Sequence, residues 1–361
     1  MSRLQDLIAL AREPSSDKRR ELLREITDLF FVSPEHGGGE IALFDDVLSR
    51  LAGDMEAAVR AELAHRMALA PEAPAGLARR LAGDGAIEVA RPMLERSGTL
   101  SDEDLMQLAQ NRGQEHLQAI SRRGVVSQAL ADVVVRRADD ETLGVLLRNE
   151  GAALSRPAHE AAVDRAAANP ALHEAVVSRR SLPVDLLNEM YFVVETRLRS
   201  RILERNAAVD PAALEAALAA GRTRLAAEDG ALPPDYAAAE RDVKALAARK
   251  ALTPRALVGM LRARQTTRFL LALGQLAEID FHTAQLILER RELDALAIVC
   301  KSAGFERPLF LTFAVLMLGR EADAMGRARE YGDLYADLPR ESARRTLRFW
   351  RMRRQAADLA A

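Results

Sequence analysis

Arginine is the residue type whose spacing most invites a chemical reading. Arg66, Arg96, Arg123, Arg148, Arg179 and Arg205 recur about once every 28 residues, each near the end of a stretch with helical apolar spacing. A planar guanidinium pairs bidentately with carboxylates and phosphates, so successive arginines in one phase describe a basic ridge. The competing reading is cations at helix C-termini, each stabilising free carbonyls by a few tenths of a kcal/mol. A second basic group lies in Arg340 to Arg354, with seven arginines and one glutamate. There Arg344, Arg345, Arg348 and Arg351, with Trp350, describe a helix suited to an anionic membrane surface or an acidic partner, or else a solvated tail.

Residue patterns for enzymatic chemistry are missing. None of the four lysines, Lys18, Lys244, Lys250 and Lys301, sits in the glycine-framed loop that cradles phosphates. His159-Glu160 and His173-Glu174 each lack the second histidine one helical turn on that a zinc peptidase needs. Ser15-Ser16-Asp17-Lys18 matches the Ser-x-x-Lys pattern without its partner motifs and reads as a helix start; the Gly-x-Ser-x-Gly elbow is absent. The acidic groups Asp102-Glu103-Asp104 and Asp139-Asp140-Glu141 fall where first helical turns begin, where carboxylates complement the helix dipole. No catalytic residue, cofactor or metal is therefore expected.

A chain with 4% aromatic residues, dominated by Ala, Leu and Arg, favours helices over strands. Its net charge of −2 supplies no global field toward nucleic acid or membranes. A single cysteine, Cys300, fits a reducing compartment. The N-terminus lacks a leader's apolar run, and the longest apolar run, Pro308 to Leu318, is about half of what a membrane span requires. A cytoplasmic protein without a transmembrane segment is the expectation.

The elements that must carry these arginines come in pairs. Leu69, Leu100-Ser101, Val126-Ser127, Leu154-Ser155, Leu182-Pro183 and Val209-Asp210 each put an apolar residue before a helix-starting one. Polar breaks at Gly83-Asp84, Asn111-Arg112-Gly113, Ala138-Asp139-Asp140 and Asn169-Pro170 separate each first helix from a second one. A hairpin of about 28 residues cannot bury its own apolar face, so several must stack. The expected fold is all-α. It has an N-terminal helical cap over residues 1–50 (Leu4 to Ala11, then Ser16 to Phe31) and a short HEAT-like α-solenoid over 51–220. A linker at 221–240 leads to a helical bundle over 241–339 and a basic C-terminal helix over 340–361.

Several phrases resemble a bacterial, mainly alphaproteobacterial family, the domain of unknown function 2336. They are Lys18-Arg19-Arg20-Glu21-Leu22-Leu23 with Asp28-Leu29-Phe30, Ile87 to Leu94 with Ser97, and Leu100 to Leu105. His116 to Arg123, Leu146 to Asn149 with Ala152 to Ser155, and Cys300 to Phe305 complete the set. The resemblance implies a helical-repeat fold and carries no activity with it.

Stacked hairpins present long surfaces rather than deep pockets. The expectation is a non-catalytic protein–protein scaffold or adaptor with a protein partner. The alternatives are a nucleic-acid-binding repeat protein using the Arg ridge, peripheral membrane contact by the C-terminal helix, and an enzyme of unrecognised type.

Overall fold

The computed structural model of the protein describes residues 16–32, 36–209, 232–319 and 323–360, the last ten as helical backbone. The expected helix over Leu4 to Ala11 and most of the expected linker lie outside these residues. The described residues hold 21 α-helices and no strand, an all-α fold. The chain divides into two compact units, Met1–Leu182 and Pro183–Ala361.

The first unit is a run of helical hairpins. Its helices are α1 (Ser16–Val32), α2 (Gly38–Gly53), α3 (Ala57–Met67), α4 (Ala75–Ala82), α5 (Ile87–Arg96), α6 (Asp102–Asn111), α7 (Gln114–Ser121), α8 (Gln128–Arg137), α9 (Asp140–Arg148), α10 (Arg156–Ala168) and α11 (His173–Ser178). Local chemistry starts them where the pairing demands. Ser101, Ser127 and Ser155 accept from the N–H groups of Asp104, Leu130 and Ala158, and Asp139 and Asn169 do the same for Thr142 and Ala171. At Ser101 the Asp104 carboxylate returns the bond to the Ser101 N–H at 3.1 Å, closing a reciprocal box.

Two layers result. In one, α3, α5, α7, α9 and α11 pack each on the next; in the other, α2 packs on α4, α6 on α8, and α8 on α10. The second-helix residues Val89, Leu117, Leu143 and Leu172 sit in the core between the layers. The second of these series has one break, since α4 and α6 do not pack closely against each other.

The second unit holds α12 (Val184–Glu189), α13 (Thr196–Ala208), α14 (Tyr236–Ala248), α15 (Pro254–Arg262), α16 (Thr266–Ala277), α17 (Phe281–Glu289), α18 (Leu293–Ser302), α19 (Arg307–Leu318), α20 (Ala324–Asp337) and α21 (Arg340–Ala360). The boundary differs from the sequence reading, which ran the solenoid to residue 220. The hairpin α12–α13 belongs to the C-terminal unit because its polar side chains find their partners there. Arg199 pairs with Glu292 and Asp294, and Asn206 donates to Thr346 Oγ1 at 2.8 Å.

The basic C-terminal helix is likewise no separate tail. α21 packs on α12, α13, α17 and α18, burying Ala343, Thr346, Leu347 and Trp350 at helical spacing. Phe310, Phe313, Ala314 and Leu318 of the long apolar run are core residues, and no described helix is long and apolar enough to cross a membrane.

Five helices of this unit end alike. After α14, α15, α16, α17 and α18 the backbone turns left-handed at Lys250, Arg264, Glu278, Arg291 and Gly304, with φ between 52° and 75°. In each case the next N–H reaches five residues back, as from Ala251 to Leu246 and from Phe305 to Cys300. A recurrent stop of this kind gives the C-terminal unit a helix-by-helix rhythm of its own.

Candidate binding groove

The six arginines of the expected ridge divide between inward and outward roles. Arg179, on the residue that ends α11, is 1% exposed. Its Nη1 donates to the Leu147 and Asn149 carbonyls at 3.0 Å each, and its Nη2 to Ala152. Arg123 repeats the arrangement two hairpins earlier, donating to Leu94 O at 2.6 Å and Ser97 O at 2.8 Å. Desolvation pulls both guanidinium pKa values below the ordinary arginine value. Between them Asn149 does the same work with an amide, donating to Ser121 O and Arg123 O at 2.8 and 2.7 Å.

Arg66 pairs with Asp28 at 2.6 Å and lies over the Phe31 ring, while Arg96 and Arg148 are exposed at the ends of α5 and α9. Arg205 is half-buried on α13, in the second unit. The ladder therefore includes linking groups that dock one hairpin on the carbonyl ends of the one before, and it is not a continuous exposed ridge.

The C-terminal set divides similarly. Trp350 is 4% exposed, its ring against Tyr191 and Phe192 at 5.2 and 5.0 Å, so it presents no ring to a membrane surface. Arg345 caps the end of α13, donating to Ala207 O and, at 3.1 Å, to Val209 O. Arg344 is exposed and pairs with Glu341 at 3.0 Å; Arg348 is exposed. The Arg351 side chain lies outside the described residues.

A second arginine series went unread in the sequence. Arg137 donates to the Ala109 and Arg112 carbonyls, and Arg165 to Ala138 O at 2.8 Å and to the Asp140 carboxylate. Nearer the N-terminus, Arg80 and Arg112 lie across Gly53 and Gly83. A Cβ on those glycines would come within 2.6 Å of Arg80 Nη2 and 3.2 Å of Arg112 Nη2. The repeated phrase Leu-Ala-Gly-Asp at 51–54 and 81–84 was the available signal, because its glycine is where the next hairpin's arginine rests.

Arg80 and Arg112 border an open groove of about 600 Å³ where α4 and α6 stand apart. Arg79, Arg80, Gln107, Asn111 and Arg112 line it together with Asp84 and Asp104. Both carboxylates are engaged. Asp84 accepts from Arg60 Nε at 2.6 Å and Nη2 at 3.0 Å, while Asp104 holds the Ser101 cap and faces Arg79 at 3.6 Å. Burial opposes ionisation of Asp84, but the Arg60 and Ala86 hydrogen bonds outweigh it and hold its pKa below the usual value. Arg80 and Arg112 make no side-chain hydrogen bond or ion pair among the described residues.

In each acidic cluster carboxylates have local duties: Asp104 holds the Ser101 cap, Asp139 caps α9, and Asp140 is the partner of Arg165 and Asn169. Cys300 is fully buried and its thiol pKa is raised by desolvation, which suppresses thiolate chemistry.

Fold and groove together define an α-helical repeat protein with an arginine-bordered surface cleft. Residues 89–348 match the model of a family described as an uncharacterised protein conserved in bacteria, and the chain belongs to that family, the domain of unknown function 2336. The phrases at residues 18–30 lie outside the matched span. No curated protein and no solved structure matches the chain.

Proposed function

We propose that the protein is a non-catalytic scaffold or adaptor that binds a protein partner through its HEAT-like hairpin surface, in the cytoplasm. The observation that carries this reading is the open cleft between α4 and α6, on a hairpin stack fastened by internal arginine-to-carbonyl links. Such links hold successive hairpins in fixed register, so a partner meets a preformed surface. The nucleic-acid reading is weakened by the same links, because Arg123 and Arg179 are spent on backbone oxygens.

Affinity capture on the full-length tagged protein, with nuclease and at raised salt, tests the proposal. A defined protein retained through both treatments, and lost when the tagged protein is heat-unfolded beforehand, supports a scaffold. Recovery of only nuclease-sensitive, salt-labile material overturns it in favour of nucleic acid.

A further inference from the structure

We infer that the groove between α4 and α6 holds an extended acidic segment of a partner protein, with side-chain carboxylates seated on Arg80 and Arg112; this rests on the scaffold reading above. Four guanidinium groups, Arg60, Arg79, Arg80 and Arg112, stand against two carboxylates, Asp84 and Asp104, among the lining residues and their direct ion-pair partners. That leaves a surplus of two positive charges. Arg60 and Arg79 hold the direct ion pairs with those carboxylates, and Arg112 acts on Asp84 only through its charge. The donor forks without an ion-pair partner among the described residues are therefore those of Arg80 and Arg112, and a planar fork suits a carboxylate.

The rest of the lining points to a peptide. Gln107 and Asn111 lie one helical turn apart on the exposed face of α6, where side-chain amides can pair with a peptide backbone. The Asn111 Nδ2 already donates to Gln107 O at 2.9 Å, and its side-chain oxygen, an acceptor, makes no hydrogen bond among the described residues. No aromatic ring lines the groove among the described residues, so the stacking platform that single-stranded nucleic acid uses is missing. The site is an open trough, which suits a passing chain better than an enclosed small molecule.

Fluorescence anisotropy with a short labelled peptide of alternating Glu and Ala tests this on the full-length protein. Gln107 is exposed and makes no side-chain hydrogen bond among the described residues, so a charge placed there perturbs the groove and not the fold. Binding is expected to weaken about fivefold in Gln107→Glu and to tighten about fivefold in Gln107→Lys. A Gln/Ala peptide and free glutarate, which has the carboxylates without the backbone, should not compete. Matched thermal midpoints for the two variants would show that folding is unchanged.

The inference is overturned if the Glu/Ala peptide does not bind, if both variants bind like the parent, or if glutarate displaces the peptide fully. It is also overturned if a single-stranded oligonucleotide of equal charge binds as tightly with the same dependence on residue 107. Protein capture that persists in Gln107→Glu and in Arg112→Gln would leave the scaffold reading standing while this groove is discarded.

Discussion

Arg199 and Asp294, 95 positions apart in the chain, face each other inside the C-terminal unit, with Arg199 Nη1 at 2.7 and 2.9 Å from the two carboxylate oxygens. Glu292 accepts from Arg199 Nη2 at 2.9 Å, and the Tyr191 hydroxyl donates to Asp294 at 3.3 Å. Burial, with Asp294 adding to it, pushes the Tyr191 phenol well above its ordinary pKa, so it remains a donor. Arg199→Met should destabilise this unit by about 3–5 kcal/mol, because the buried Asp294 and the half-buried Glu292 lose their counter-charge. Adding Glu292→Gln and Asp294→Asn should recover a large part of that loss in urea unfolding followed by circular dichroism.

The inward arginines make a graded prediction for the first unit. Arg179→Met removes a guanidinium donor from three backbone carbonyls at a buried site, of which Asn149 O keeps the Ala152 N–H, and should cost about 2–3 kcal/mol. Arg123→Met, at a half-buried site with two carbonyls, should cost about 1–2 kcal/mol. Arg96→Met and Arg148→Met, at exposed positions, should stay within about 0.5 kcal/mol of the parent. Equal losses at all four sites in thermal unfolding would contradict the division between linking and exposed arginines.

Helix positions were legible because their signals are local. Ser101, Ser127, Ser155, Thr253 and Asp280 cap where an apolar residue precedes a polar one, and a cap needs only the next three residues to form. The direction of the arginines was not legible. Whether a guanidinium at a helix end faces solvent or the preceding hairpin depends on residues some 26 to 32 positions away, as with Arg123 on Ser97 and Arg179 on Leu147. The unit boundary was hidden for the same reason, since nothing near Pro183 announces that Asn206 will meet Thr346. Trp350 looked like a surface anchor because it stands among arginines; only the helical phase of Ala343, Leu347 and Trp350 hinted that it faces inward.

The left-handed helix stops offer a gain in stability. Lys250 and Arg264 hold φ of 54° and 56°, where a side chain is disfavoured and glycine is not. Lys250→Gly and Arg264→Gly should each stabilise by about 0.5–1 kcal/mol in thermal unfolding, while Gly304→Ala at φ 75° should lose about 1 kcal/mol.

Gly151 is required by a close approach. Its neighbours form the Val126–Ala152 bridge, with Val126 N–H on Gly151 O at 3.1 Å and Ala153 N–H on Val126 O at 2.9 Å. A Cβ at residue 151 would overlap the Gly124 carbonyl oxygen. Gly151→Ala should therefore cost about 1–3 kcal/mol and open the two bridge amides to hydrogen exchange, whereas Gly85→Ala, with open space around it, should not.

His159 gives the first unit a pH dependence of definite sign. Its Nδ1 lies 2.9 Å from Ser155 O, which can only accept, so the ring holds its proton there and Nε2 faces Ser181 Oγ at 3.3 Å. Desolvation lowers its pKa below 6.5, and the Arg179 and Arg156 charges add to the shift, against the opposing Ser155 bond and Asp132. The unfolded chain therefore binds more protons than the folded one between the depressed value and 6.5, and stability rises with pH across that window. The contribution is complete above about pH 6.5 and is lost as the pH falls through it toward the folded value. Thermal midpoints measured from about pH 7.5 to 5 should fall more steeply for the parent than for His159→Gln. Parallel slopes would mean that His159 is not the group responsible, since Asp84 and Asp140, with their lowered pKa values, titrate in a more acidic range.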